Sequence, residues 1–244
     1  MKILSPEQIE TYNKQGFLYV KNFISKEEVK KIKEEALIAH EKCVAGEFES
    51  GITWEHLPDL PEKRIRQLMR SEVYSPTIGK LLEEGKITKA CSELLNDNEL
   101  DFFHSKLMFK SAGVGTFTPW HSDWGYWQNT FTEPTQMNCF LAIDESTLEN
   151  GCIRYVSGSH KDYKEHTNFK NKGGFAIGLP GDIDAFDGIP VKMEPGDVTF
   201  HGSITIHGSE ANHSDCSRIM NTFAFSSVNT NIHRMKKEAE VLAG

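Results

Sequence analysis

A mainly β protein, with an antiparallel core behind flanking N-terminal helices, is the fold class that this 244-residue sequence predicts. Helix-start signals and apolar residues at helical spacing fill roughly the first hundred residues. Five strand-like runs follow, divided by Gly, Pro, Asn and Asp, and no βαβ alternation links them. The chain therefore reads as a single domain over 1–244, with a helical layer at about 1–98 and a β core at about 99–228.

The elements follow in order. Ser5-Pro6-Glu7-Gln8 combines a capping hydroxyl, a first-turn proline and a Gln three residues on, and Gly16 ends that helix. Phe17-Leu18-Tyr19-Val20 is a short strand, after which Ser25 and Glu28 repeat the capping box ahead of Val29, Ile32, Ala36 and Ala39. Ser75-Pro76 opens a further helical region, and Ile87, Ala90, Cys91, Leu94 and Leu95 make an apolar face. Phe102–Lys110, Gln136–Ile143, Cys152–Val156, Val198–His207 and Arg218–Ser226 are the strands, with turns at Asn150-Gly151 and Pro195-Gly196-Asp197. Lys172–Pro190 is a glycine-rich loop or lid. Its Asp182, Asp184 and Asp187 favour an amine substrate if they face a site, and otherwise form a solvated acidic loop.

Composition narrows the function classes. A formal charge of −8 disfavours nucleic-acid and anionic-membrane partners, which need a basic face. The five cysteines are scattered without C-x-x-C spacing, which fits a reducing compartment and excludes a zinc ribbon. The N-terminus has no signal-like apolar stretch, and Phe17–Val20 and Cys139–Ile143 are far too short to span a bilayer. The expectation is a cytoplasmic protein with a small-molecule partner; oligomeric state is not readable.

The chemistry concentrates in Pro119-Trp120-His121-Ser122-Asp123 and the distant His207. Two residues apart on an extended strand, His121 and Asp123 point to one face, and a histidine from another strand would complete a two-histidine, one-carboxylate metal face with open positions opposite. His201 competes with His207 for that third place, because the two share strand parity. Arg218, eleven residues beyond His207, suits a guanidinium clamp on a carboxylate.

These residues resemble the phytanoyl-CoA dioxygenase family of Fe(II)- and 2-oxoglutarate-dependent oxygenases. The resemblance runs from Gly16 to Phe225 and includes His121-Ser122-Asp123, Leu141–Asp144, Glu149–Arg154 and Ser157–Lys161. Pro195-Gly196-Asp197, His207-Gly208-Ser209, Asn212 and Arg218 complete it. It implies a double-stranded β-helix, a jelly-roll barrel, with Fe(II) held by His121, Asp123 and His207 as the catalytic centre; the interval to Arg218 favours His207 over His201. It implies that Arg218 and Ser209 take the C5 carboxylate of 2-oxoglutarate, with Lys106 and Asn138 as further cosubstrate contacts.

The implied reaction is hydroxylation of a small metabolite with O2 as oxidant and release of succinate and CO2. Halogenating relatives generally lack the carboxylate that Asp123 supplies. Trp120, Trp124, Tyr126 and Trp127 read either as packing or as a substrate wall. The His-Ser-Asp-aromatic-x-x-Trp run resembles the ectoine hydroxylase branch and marks Trp127 as a substrate contact, but Gln128–Thr135 departs from that branch. Desaturation, epoxidation, ring formation and a non-catalytic cupin-like barrel are the alternatives. The histidines at 40, 56, 104, 160, 166, 213 and 233 show no ligand pattern.

Overall fold

The computed structural model describes residues 2–48, 50–55, 63–168, 177–181 and 183–232. Helix α1 (Pro6–Gln15) starts on the Ser5–Gln8 capping box and ends at Gly16, whose φ of 83° is left-handed. A side chain there would also run into His160. Strand β1 (Phe17–Val20) leads to α2 (Lys26–Val44), which is capped reciprocally by Ser25 and Glu28. Strands β2 (Ile52–Trp54) and β3 (Ile65–Met69) form a hairpin inside the stretch read as helical. Then come α3 (Ser71–Tyr74), α4 (Pro76–Glu83) with Ser75 as its cap, and α5 (Lys86–Leu95).

The β core comprises β4 (Leu100–Lys110), β5 (Thr118–His121), β6 (Gln136–Ala142), β7 (Ile153–Val156), β8 (Thr167–Asn168), β9 (Ile177–Gly178) and β10 (Gly188–Pro190). It continues through β11 (Val198–Gly202), β12 (His207–Ser209) and β13 (Arg218–Ser227), and a one-turn helix α6 (Trp124–Trp127) follows β5. One antiparallel sheet runs β1-β11-β6-β13-β4-β3-β2, and the other runs β10-β7-β12-β5. β8 and β9 pair separately. The sheets face each other as a jelly roll without closing into the expected barrel: no ladder joins their edge strands among the described residues.

Alternation along β6 and β13 sorts the core into layers. Cys139, Leu141, Ile219 and Phe223 face the helices, where they pack with Val29, Ile32, Ile78, Ile87 and Leu107. Phe140, Ala142 and Met220 face the second sheet and meet Phe17, Ile153 and Tyr155. Both faces of these strands are buried, which is why they read as nearly continuous apolar runs. Each such large aliphatic contributes about 1.5–3 kcal/mol by leaving water.

The expected strand Val198–His207 is two strands. β11 lies in the larger sheet and β12 in the smaller, joined by a turn in which the Thr205 N–H donates to Gly202 O. Parity therefore does not relate His201 to His207. Within the expected lid, Asp184 and Asp187 are exposed to solvent, while Asp182 lies outside the described residues. No helix among the described residues is long and apolar enough to cross a membrane.

Candidate active site

His121 and His207 are direct cross-strand partners on β5 and β12. Each donates its Nδ1–H to the carbonyl two residues earlier, His121 to Pro119 (2.8 Å) and His207 to Thr205 (3.0 Å). Those bonds fix the tautomer and make Nε2 the lone-pair nitrogen of each ring, the one that could ligate a metal. Burial, with each ring disfavouring charge on its neighbour, pushes His121 down to about 3; burial beside His201 pushes His207 down to about 4. Both are therefore neutral at physiological pH, the form in which an imidazole can ligate a metal.

Asp123 reaches the same point by another route. β5 stops at His121, and Asp123 takes helical backbone angles (φ −61°, ψ −27°) at the start of α6. The extended-strand geometry expected for His-x-Asp is thus replaced by a strand-to-helix turn. The Ser122 N–H in that turn donates to His166 Nε2 at 2.9 Å, and Trp124 N–H donates to Ser203 O at 2.8 Å. The Asp123 Oδ2 accepts from Asn138 Nδ2 (2.6 Å) and from His201 Nε2 (3.3 Å). Burial opposes the Asp123 charge, but the His201 bond and the adjacent imidazoles outweigh it and hold the carboxyl below its usual range.

One ligand atom from each of His121, Asp123 and His207 lies within 4.8 Å of the others. His201 stands behind this set. Its Nδ1 accepts from the Tyr155 hydroxyl at 3.0 Å, and Tyr155 accepts from Thr199 at 2.8 Å, so its Nε2–H is directed to Asp123. The small residue after His207 has a packing reason: a Cβ on Gly208 would press on Thr118 O and the Trp120 ring. Ser159, from the Ser-Gly-Ser-His-Lys motif, accepts the Ile206 N–H at 2.9 Å and secures the start of β12. His160 in the same motif contacts Asn13 O on α1.

Beside the metal set lies a cavity of about 500 Å³. Ser209 and Arg218 line one end, both buried. Arg218 donates Nη1–H to Ser146 Oγ at 3.0 Å, and its buried Nε has no hydrogen-bond partner among the described residues. Lys106 and Asn138 also line the cavity. Register, however, sets Lys106 opposite Thr222 on β13 and sets Lys110 opposite Arg218.

Lys110 is the residue that the sequence reading missed at this end. Its Nζ donates to Ser209 Oγ at 2.7 Å and also to Glu210 O. Burial, with the Arg218 charge added, pushes its ammonium well below the usual lysine range. Asn212 donates to the carbonyls of Lys110 and Cys216, tying β4 to the turn before β13. Two buried cations side by side, with no ion pair of their own among the described residues, fit a carboxylate.

The outer wall carries Phe103, Trp127, Tyr126, His104, Arg66 and Glu55. Trp127 meets Phe103 and His104 edge-on, with ring centroids 5.6 and 5.8 Å apart. Tyr126 donates its hydroxyl to Ile177 O at 2.6 Å. Trp120, in contrast, is buried packing: it contacts Phe186 and donates to Ile183 O. His104 lines the cavity although no spacing marked it, and burial pushes it down to about 3 with Lys106 adding to the effect. His56 and His233 lie outside the described residues.

A metal-competent triad beside a buried guanidinium and a buried lysine could hold an iron ion and a 2-oxoacid, and comparison with known proteins points the same way. The chain is 29% identical over 220 residues to a probable alpha-ketoglutarate-dependent hypophosphite dioxygenase of Stutzerimonas stutzeri, covering 87% of this chain and 75% of the relative. It is 24% identical over 224 residues to an ectoine dioxygenase of Bordetella bronchiseptica, covering 86% and 71%. A solved structure of EctD from S. alaskensis with 2-oxoglutarate and 5-hydroxyectoine superposes with a TM-score of 0.75 at 19% identity, covering 93% of this chain and 77% of that one. At that identity the superposition speaks for the fold. The phytanoyl-CoA dioxygenase model matches residues 12–220, so the chain belongs to that family and is an Fe(II)- and 2-oxoglutarate-dependent dioxygenase.

Proposed function

We propose that this dioxygenase hydroxylates an unactivated C–H bond of a small metabolite. The observation that carries the reading is the pair of buried cations, Arg218 and Lys110, set beside three neutral or anionic metal donors in one cavity. When bound, Fe(II) and 2-oxoglutarate supply the oxidation: one oxygen of O2 enters the substrate, the other enters succinate, and CO2 leaves.

The chain's own residues do the placing. His121, Asp123 and His207 hold the metal. Arg218, Ser209 and Lys110 take the distal carboxylate of the cosubstrate, and the guanidinium fork sets its direction. Lys106 extends the positive wall toward the metal end. Asn138 acts through Asp123: its amide occupies Oδ2 and leaves the other oxygen to the metal. Trp127, with Phe103 and Tyr126, forms an aromatic wall that limits water and bounds the substrate.

A cavity of this size suits a small molecule, and the relatives named for hypophosphite and ectoine have small substrates. Metal donors from strands far apart in sequence support one catalytic unit over 1–244. The test is anaerobic addition of Fe(II) and 2-oxoglutarate. A weak visible charge-transfer band is expected in the wild type and is lost in His207→Ala; no band at saturating iron and cosubstrate would refute the reading. In turnover, a product heavier by one oxygen atom separates hydroxylation from desaturation or ring closure.

A further inference from the structure

We propose that His166 is a positioning residue for the metal site, setting the direction of Asp123 through the Ser122 peptide. This deepens the reading of His121, Asp123 and His207 as metal ligands, and it rests on that reading. His166 itself stands outside the metal set and does not line the cavity.

The hydrogen bonds of the metal loop are the first ground. β5 is the outer strand of the smaller sheet and pairs only with β12. Its other edge, and the turn into α6, must find partners elsewhere, because a buried N–H without an acceptor is costly. Main-chain groups meet much of that need. The Leu179 N–H donates to Trp120 O at 2.7 Å, and the N–H groups of Trp124, Gly125 and Tyr126 donate to the carbonyls of Ser203, Ser122 and Asp123. The buried Ser122 differs: its N–H donates to a side chain, His166 Nε2, at 2.9 Å. Any residue supplies a carbonyl, but this acceptor depends on the residue at 166.

Placement is the second ground. Ser122 is the single residue between two ligands, and its peptide carries the chain from strand into helix. A bond on that peptide fixes the angle at which Asp123 follows His121, whose Nε2 stands 3.9 Å from Asp123 Oδ1. The loop also makes room for the imidazole. A Cβ on Gly125 would lie 2.5–2.7 Å from three atoms of the His166 ring. Gly125 sits within α6, so the ring, and not its own backbone angles, calls for glycine there. Tyr163 lies nearly parallel to the ring, with centroids 6.0 Å apart. Burial, with His121 adding to it, pushes His166 down to about 4, so Nε2 keeps its lone pair at neutral pH.

The experiment titrates the full chain anaerobically with Fe(II), and with Co(II), whose visible spectrum reports donor geometry. His166→Phe keeps a ring but has no acceptor; it should weaken Fe(II) binding about tenfold and alter the Co(II) spectrum at saturation. His166→Gln, whose amide oxygen can accept the same N–H, should recover most of both. Gly125→Ala should weaken binding by displacing the ring, and should add nothing in a His166→Ala background. The ties from Leu179 to Trp120 and from Tyr126 to Ile177 remain, so β5 stays covered in every variant. Affinity and spectrum unchanged in His166→Phe would overturn the proposal, whatever its melting temperature, as would a His166→Gln no better than His166→Phe. Should His166→Phe fail to fold, the Gly125→Ala pair decides, and full additivity rejects the proposal. A wild type that binds neither metal defeats the ligand reading itself, so the two failures are told apart.

Discussion

The floor of the cavity and its outer wall are built by different means. On the floor, backbone carbonyls lock His121 and His207, and Asn138 and His201 hold Asp123. The wall hangs on a one-turn helix and a short hairpin, and its Trp127 and Phe103 meet through ring packing. The difference teaches where shared chemistry and individual specificity reside. Metal geometry tolerates little error and is fixed by hydrogen bonds on paired strands. A substrate wall can change residue by residue without disturbing that frame.

The comparison can be broken at the floor first. His207→Ala or Asp123→Ala should weaken Fe(II) binding at least ~100-fold in an anaerobic titration, because a ligand is lost. His201→Ala should keep saturable binding weakened only about 10- to 100-fold, as for a residue that orients a ligand. Equal losses for His201→Ala and His207→Ala would merge the two layers. At the cosubstrate end, Arg218→Ala should raise the KM for 2-oxoglutarate about 100-fold and Lys110→Met about tenfold, with Fe(II) affinity retained.

Acid stability sharpens the contrast further. His104, His121 and His207 are each depressed below the ordinary value of 6.5, to about 3, 3 and 4. The unfolded chain therefore binds more protons than the folded one below pH 6.5. The stability these groups provide is full above that value and is lost as pH falls toward 3–4. Melting of the metal-free protein should drop by roughly 7–15 °C between pH 7 and 5.5, a loss of about 1.2 kcal/mol per histidine and ~4 kcal/mol for the three. Fe(II) keeps His121 and His207 unprotonated in the folded chain, so the loaded protein should melt higher at each pH and show a drop at least as large; a smaller drop in the loaded form would overturn this account. The smallest effect belongs to the wall. Trp127→Ala should raise substrate KM about 5- to 10-fold by loss of one aromatic contact, with the iron and cosubstrate constants unmoved.

Much of the floor was legible in the sequence. His-x-Asp, His-Gly-Ser and the interval to Arg218 are local signals, and the long apolar runs of β4, β6 and β13 announced the sheet that carries them. The means was less legible: Asp123 arrives on a helical turn, and His201 lies in a different sheet from His207. Lys106 and Lys110 share a strand face, so only the pairing of β4 with β13 shows which one stands opposite Arg218. Arg66 and His104 carried no pattern at all, because long-range pairing brings them to the cavity.

By itself, then, the sequence determined which side chains can bind a metal and a carboxylate, where the helices begin, and which strands are buried. Those properties depend on residue type and short-range spacing, which the chain states directly. The tertiary structure alone decided which ring nitrogens converge with the Asp123 carboxylate, which lysine joins Arg218, and how charge is distributed along the cavity. Those depend on register between distant strands and on burial, and neither exists until the two sheets face each other.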